Sequence, residues 1–367
     1  MKITDLTVTI FSREIPRVVS GPHNPIVQGR STLGIVTIHT DEGLKGYGMI
    51  GGSSKPAEFD AHSLIVALKP ILIGQNPLNR EAIYKKLLQR SRHTTWRCIG
   101  AVDVALWDLG GKIAGLPIYQ LLGAARDKVP AYASSPGMDD PEEYVEQAQE
   151  VRSRGYKAYK LHPPRVGYQK DILACQKVRQ AIGDDYTLML DSSWMYDFTE
   201  AMKVGRAIEE LKYYWFEDPL AEDDIYNYVK LRQKLDIPLM ATEHSPGSFH
   251  SAPAWITAQA TDYLRGDVAA KGGITDCIKT AHLAEAYRMN YEMHHGGNSI
   301  NNIANLHVMC AINNSELFEC HLSHHPCGVV NEIVVDAQGM IAVPTGPGLG
   351  IELDTDFIKK NTVTEMR

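Results

Sequence analysis

Thr187-Leu-Met-Leu-Asp191, Tyr213-Tyr-Trp-Phe-Glu217 and Pro238-Leu-Met-Ala-Thr-Glu243 are three short apolar runs, each closing on an acid. The acids stand 26 residues apart, and then 26 again. That interval is the length of one strand–loop–helix–loop unit. On either side, runs at 129–134, 158–162, 263–267, 290–294 and 317–320 bring the strand candidates to eight, with amphipathic helical stretches between them. Strands alternating with helices imply a parallel sheet, and eight such units imply closure into an α/β barrel.

The residues before the barrel read differently. Segments 2–10, 34–40 and 44–47 alternate as antiparallel strands, with a turn at Asp41-Glu-Gly43. Segment 11–32, rich in Pro, Gly and Ser, reads as a long loop of the kind that covers a site. Its Arg13, Arg17, His23 and Arg30 are candidate substrate contacts. Helices follow to about residue 122, the clearest over 99–114, with Val102, Ala105, Leu106 and Leu109 on one face. After 330, segments 332–335 and 341–344 flank a turn at Gln338-Gly339, a tail expected to return to the first domain. The expected division is 1–125 as a capping domain, 126–330 as the barrel and 331–367 as the returning segment.

The chain has 367 residues and a formal net charge of −7, enough for a barrel of about 250 residues and a smaller companion. The acidic balance and the lack of a Lys/Arg run argue against nucleic-acid binding. No apolar stretch is long enough for a membrane span. The six cysteines form no C-x-x-C pair, and the opening Met-Lys-Ile-Thr-Asp alternates rather than forming a signal-peptide core, so reduced thiols and a cytoplasmic location are expected. Barrel enzymes of this size often assemble, so a homo-oligomer is expected.

The chemistry lies at the strand ends. One acid there commonly caps a helix. Three acids on consecutive parallel strands converge on one face of the barrel and repel unless a cation lies between them. Asp191, Glu217 and Glu243 are therefore candidate metal ligands, and their hard oxygens favour Mg²⁺. One strand earlier, Lys160 and His162 are two residues apart and share a face. His162 is a candidate base, donor or substrate contact. One strand later, Asp267 closes a run, and the next run ends in His294-His295. An Asp beside a His fixes its tautomer and makes a general base or acid, and the residues alone leave open which His it meets. Glu319 ends the last strand.

These residues resemble the enolase superfamily, in particular its mandelate racemase subgroup, which includes many acid-sugar dehydratases. The resemblance spans nearly the whole chain. It is carried by the acid trio, by Ala101-Val-Asp-Val-Ala-Leu-Trp-Asp-Leu-Gly-Gly-Lys112, by Gly115-Leu-Pro-Ile-Tyr-Gln-Leu-Leu-Gly123 and by Gly346-Pro-Gly-Leu-Gly350. It implies a (β/α)₇β TIM-like barrel with an α+β capping domain built from both chain ends. It implies Mg²⁺ on Asp191, Glu217 and Glu243, and Lys160 as the first Lys of a Lys-x-Lys motif facing the substrate carboxylate. It implies His294 as the partner of Asp267, and Glu319 as the acid of the last strand.

Two departures bear on function. The second Lys of Lys-x-Lys is His162 here, and Ser193 stands where many relatives carry Asn. The resemblance implies α-proton abstraction from a hydroxy-carboxylate through an enediolate. Without the second Lys, the expected outcome is dehydration of a small-molecule sugar acid to a 2-keto-3-deoxy acid by one base that later acts as acid. Racemisation or epimerisation of a 2-hydroxy acid stays open, because His162 could serve as a second base. A non-catalytic binding barrel would show a degraded trio or dyad. Muconate-type cycloisomerisation would call for a Lys near the sixth strand, where Lys271 lies close in sequence but beyond the strand.

Overall fold

The computed structural model describes residues 1–18, 27–52, 56–245, 247–322 and 327–367. In chain order the strands are β1 (Ile3–Val18), β2 (Val27–Thr40), β3 (Lys45–Gly51), β4 (Lys128–Gly137), β5 (Ala158–His162), β6 (Thr187–Asp191) and β7 (Phe216–Glu217). They continue as β8 (Leu239–Ala241), β9 (Tyr263–Gly266), β10 (Asn290–Met293), β11 (Phe318–His321), β12 (Met340–Ala342) and β13 (Thr362–Met366).

The first sheet is antiparallel, in the order β13-β1-β2-β3. Leu6, Val8 and Ile10 alternate into a core shared with Val36, Ile38 and the helix Trp96–Ala114. The loop expected over 11–32 is mostly strand instead: the β1–β2 ladder continues through Arg13↔Ser31 and Glu14↔Arg30 to Val18↔Val27. Phe11 and Ile15 are buried there and repay the pairing. Pro16, which cannot donate to a ladder, falls where the register shifts between Ile15 and Val18. His23 and the Arg17 side chain lie outside the described residues. Arg13 is buried, and Arg30 donates to Ser12.

The helix Trp96–Ala114 starts at Thr95, whose side chain accepts from the Cys98 amide, and stops at Gly115, with φ +67°. It lies so close on β3 that a Cβ at Gly46 or Gly48 would come within 2.1 Å of the Ala105 or Ala101 carbonyl oxygen. Only glycine allows that approach. Its other face touches the barrel. Buried Asp103 accepts from the Thr275 amide (2.8 Å) and hydroxyl (2.7 Å), capping the barrel helix Ile274–Ala286 from outside.

The second sheet runs β10-β9-β8-β7-β6-β5-β4-β11, every pair parallel, and curls into a TIM-like barrel. Among the described residues no backbone ladder joins β10 to β11. Carboxylates bridge that seam: Glu292 accepts from the Glu316 amide at 3.0 Å, and Glu319 from the His295 amide at 3.0 Å. Inside, Tyr132, Ala158, Met189, Trp215 and Met240 form an apolar layer. Outside, a larger core fills the space between strands and helices.

The tail differs from its expected form. Residues 332–335 are not a strand, and β12 pairs antiparallel with β4 under the barrel. The return to the first sheet is made by β13 against β1, Val8 facing Met366.

Candidate active site

Period two places the site. On β5, Ala158 faces the inner layer, so Lys160 faces inward one step higher. Met189 and Trp215 do the same for Asp191 and Glu217. Glu243 breaks the rule, since Met240 faces in and parity would turn residue 243 outward. Thr242 supplies the correction: its φ is +87°, rare for a β-branched residue, and its hydroxyl donates to the Arg265 carbonyl at 2.9 Å. The kink turns Glu243 inward.

Asp191, Glu217 and Glu243 are all buried, and each offers an oxygen within 4.8 Å of the others. Such a triad is typical of a divalent-metal site. Lys160 Nζ, fully buried, lies 3.0 Å from Asp191, 3.0 Å from Glu217 and 2.9 Å from Glu319. Arg265, equally buried, puts Nε 2.6 Å from Glu217 and pairs Nη2 with Glu319 and the Tyr132 hydroxyl. The four carboxylates outnumber the two fixed cations, and a divalent ion would offset that excess of acid. The donor set fits Mg²⁺ on charge, ligand hardness and convergence.

Asp267 meets His294, with Oδ2 at 2.6 Å from Nδ1. The other Asp267 oxygen accepts from the Ala269 and Ala270 amides, which fixes the carboxylate. With Nδ1 engaged, Nε2 of His294 points to Glu243 Oε1 at 3.1 Å. Burial works against the charged ring, but the carboxylates of Glu243 and Asp267 outweigh it and raise His294 to about 9. Asp267 is lowered: burial opposes this, and the bond from His294 prevails. His295 goes elsewhere. Its ring contacts Asn302 and the Gly297 amide, and burial lowers it to about 3.

His162 Nδ1 is 2.7 Å from the Ser135 carbonyl oxygen, so Nε2 is the nitrogen that faces Asp191, at 2.9 Å. Three imidazoles thus reach the triad, His162 at Asp191 and both His294 and His244 at Glu243. Lys160 is held well above its ordinary range: burial pulls down, as does Arg265, and the surrounding carboxylates win. Glu319 is held well below its range, because Lys160 and Arg265 overcome burial.

Three contacts escaped the sequence reading. Arg265 shares the strand face of Tyr263 and Asp267, so period two along Tyr263-Leu-Arg-Gly-Asp267 carried the signal. His244, 2.9 Å from Glu243, is adjacent to a ligand and gives no periodic signal. Arg165 donates to Ser193, which donates to Asp191. Lys271 does not reach the triad; its ammonium binds the Ser245 carbonyl and hydroxyl.

A parallel barrel with three acids at its mouth, under a sheet-and-helix cap, defines a divalent-metal barrel enzyme of the enolase type. Residues 7–123 match the mandelate racemase / muconate lactonizing enzyme N-terminal domain, and residues 143–357 the enolase C-terminal domain-like family. The chain belongs to the enolase superfamily, in its mandelate racemase/muconate lactonizing subgroup. It is 30% identical to a D-galactarolactone cycloisomerase of Agrobacterium fabrum, covering 88% of this chain and 89% of that one. It is 29% identical to an arabinonate dehydratase of Saccharolobus solfataricus, covering 85% and 86%. The crystal structure of D-glucarate dehydratase from Agrobacterium tumefaciens complexed with magnesium superposes with a TM-score of 0.91 at 34% identity, covering 99% of this chain and 100% of that one. Curated relatives are mostly acid-sugar dehydratases, with racemases among them. No helix among the described residues is long and apolar enough to cross a membrane.

Proposed function

We propose that the chain removes the proton beside the carboxylate of a hydroxy acid and that, on an acid sugar, loss of the 3-hydroxyl follows. Asp191, Glu217 and Glu243 would hold Mg²⁺. When bound, that ion supplies positive charge where negative charge develops on the substrate carboxylate. One observation carries the reading: His294 is clamped by Asp267 with Nε2 at the edge of the triad, 3.1 Å from Glu243.

The residues divide the work. The neutral ring of His294, formed once the proton shared with Glu243 has left Nε2, takes the α-proton there, and Asp267 at Nδ1 keeps it in the tautomer that can accept it. Lys160 and Arg265 hold fixed positive charge beside the reacting carboxylate, where preorganised charge counts most. The electron pair left on carbon forms the new double bond as the 3-hydroxyl departs. The protonated His294 gives its proton to that hydroxyl, so water leaves. The enol then tautomerises to a 2-keto-3-deoxy acid, and no further reactant is needed.

A second reading has its own support. His162 reaches the triad at Asp191, apart from His294 at Glu243. Two bases at separate points suit a racemase or epimerase.

A screen of the Mg²⁺-loaded protein against aldonic and aldaric acids, scored for 2-keto acid with semicarbazide, separates them. Keto acid formation lost in His294→Asn supports dehydration. α-Proton exchange in D₂O without keto acid supports the epimerase. Neither signal on any acid overturns both.

A further inference from the structure

Two arginines are buried near the triad, and they differ in one respect. Arg265 is paired with the carboxylates of Glu217 and Glu319. Arg165 is only 9% exposed, yet no carboxylate among the described residues lies within ion-pair distance of it. Among the described residues its one side-chain hydrogen bond is to the Ser193 hydroxyl, which accepts from Nη2 at 2.7 Å. Nε is buried without a hydrogen-bond partner among the described residues.

The placement of Arg165 is built. It follows β5 by three residues, at the mouth of the barrel. Its backbone is left-handed, with φ +61°, a conformation that costs a non-glycine residue about 1 kcal/mol or more. Its amide donates to Asp171 Oδ1 at 2.9 Å, which holds that turn. Asp171 is fully buried, and its other oxygen accepts from the Tyr196 hydroxyl at 2.8 Å. Ser193 completes the frame: its hydroxyl accepts from Arg165 and donates to Asp191 Oδ1 at 3.0 Å. The guanidinium is therefore two hydrogen bonds from a triad carboxylate, on the Asp191 side, away from the Asp267–His294 pair at Glu243.

We propose that Arg165 determines specificity by receiving a second carboxylate, and that the substrate is a diacid. The inference rests on the reading of the site as one that processes hydroxy acids. A buried guanidinium without a carboxylate in contact is costly: the Ser193 hydroxyl carries no charge, and Asp191 and Asp171 act on it only from beyond ion-pair distance. A carboxylate neutralises it and matches its planar fork. Once Asp191 engages a divalent ion, its charge is shared with that ion, and Arg165 has still less compensation from the protein. The chain supplies Lys160 and Arg265 for one end of the acid and Arg165 for the other.

The test uses matched acids: galactarate beside galactonate, and the other hexaric and pentaric acids beside their aldonic counterparts. Binding is measured by calorimetry with Mg²⁺ present, and turnover in parallel. Wild type should bind and turn over a diacid in preference to its matched monoacid. Arg165→Met should lose about 30-fold or more in diacid affinity, while its affinity for the monoacid changes little. Arg165→Lys should retain part of the preference, and Ser193→Ala, which releases the guanidinium, should weaken diacid binding. Melting curves of each variant report whether it is folded, and the Lys and Ala variants carry the test if the Met variant is not. Equal losses on both acids, a wild-type preference for monoacids, or no binding of any diacid overturns the proposal. Diacid binding that depends on Arg165 but leads to no reaction leaves Arg165 standing and sinks the proposed function. Turnover indifferent to Arg165 does the reverse.

Discussion

At the scale of the residue, the site is an arrangement of charges that only makes sense together. Lys160 touches three carboxylates, and its removal leaves them facing one another in a buried layer. Lys160→Met should lower the stability of the metal-free protein by about 3–5 kcal/mol, measured by urea unfolding; an unchanged midpoint would show that the carboxylates do not depend on it. His294→Asn makes the opposite kind of change. It removes the group proposed to move the proton and leaves the triad intact. Turnover should fall by about 10²–10⁴-fold, while the rise in melting temperature on adding Mg²⁺ persists. A mutant that also loses the Mg²⁺ response would point to His294 as part of the cation site instead.

At the scale of the element, much was readable and some was not. The runs at 158–162 and 187–191 coincide with β5 and β6, because each is a short apolar run closed by a polar end. Glu243 is a different case. Its place among the acids was inferred from spacing, but its orientation depends on the left-handed backbone of Thr242, which no pattern of residue types announces. Arg265 is legible by parity on β9, two residues before the strand-end acid Asp267. The β1–β2 hairpin was misread because Pro16 and Gly29 are loop signals in isolation, whereas buried Phe11 and Ile15 decide in favour of the strand. The contact of β3 with the helix Trp96–Ala114 gives a direct test. Gly48→Ala would push a methyl group against the Ala101 carbonyl and should cost about 2–3 kcal/mol in urea unfolding. A loss under half a kcal/mol would mean that the helix can back away.

At the scale of the whole molecule, cap and barrel are coupled through Asp103. Its carboxyl is pushed up to about 7, because burial outweighs the bonds from Thr275. An acid whose folded value is raised favours the folded state while it is protonated. That contribution is present below the ordinary aspartate value near 3.8 and is lost as pH rises toward 7. Asp103→Asn should therefore flatten the fall of melting temperature across that window, and an unchanged slope would assign it to other groups. Mg²⁺ should act on the molecule as a whole. If it binds only the folded triad, each tenfold rise in free ion above its dissociation constant adds about 1.4 kcal/mol of stability, and a chelator reverses it.

The pairing of β13 with β1 has a bearing on biosynthesis. On the ribosome, β1 emerges before the barrel strands and its lasting neighbour on one side, β13, emerges after them. Until then that flank of β1 is an open row of amides and carbonyls, the kind of edge that recruits other chains. A chain cut before Thr362 should thus engage holding chaperones more than one that includes Thr362–Met366, although the two share every barrel strand.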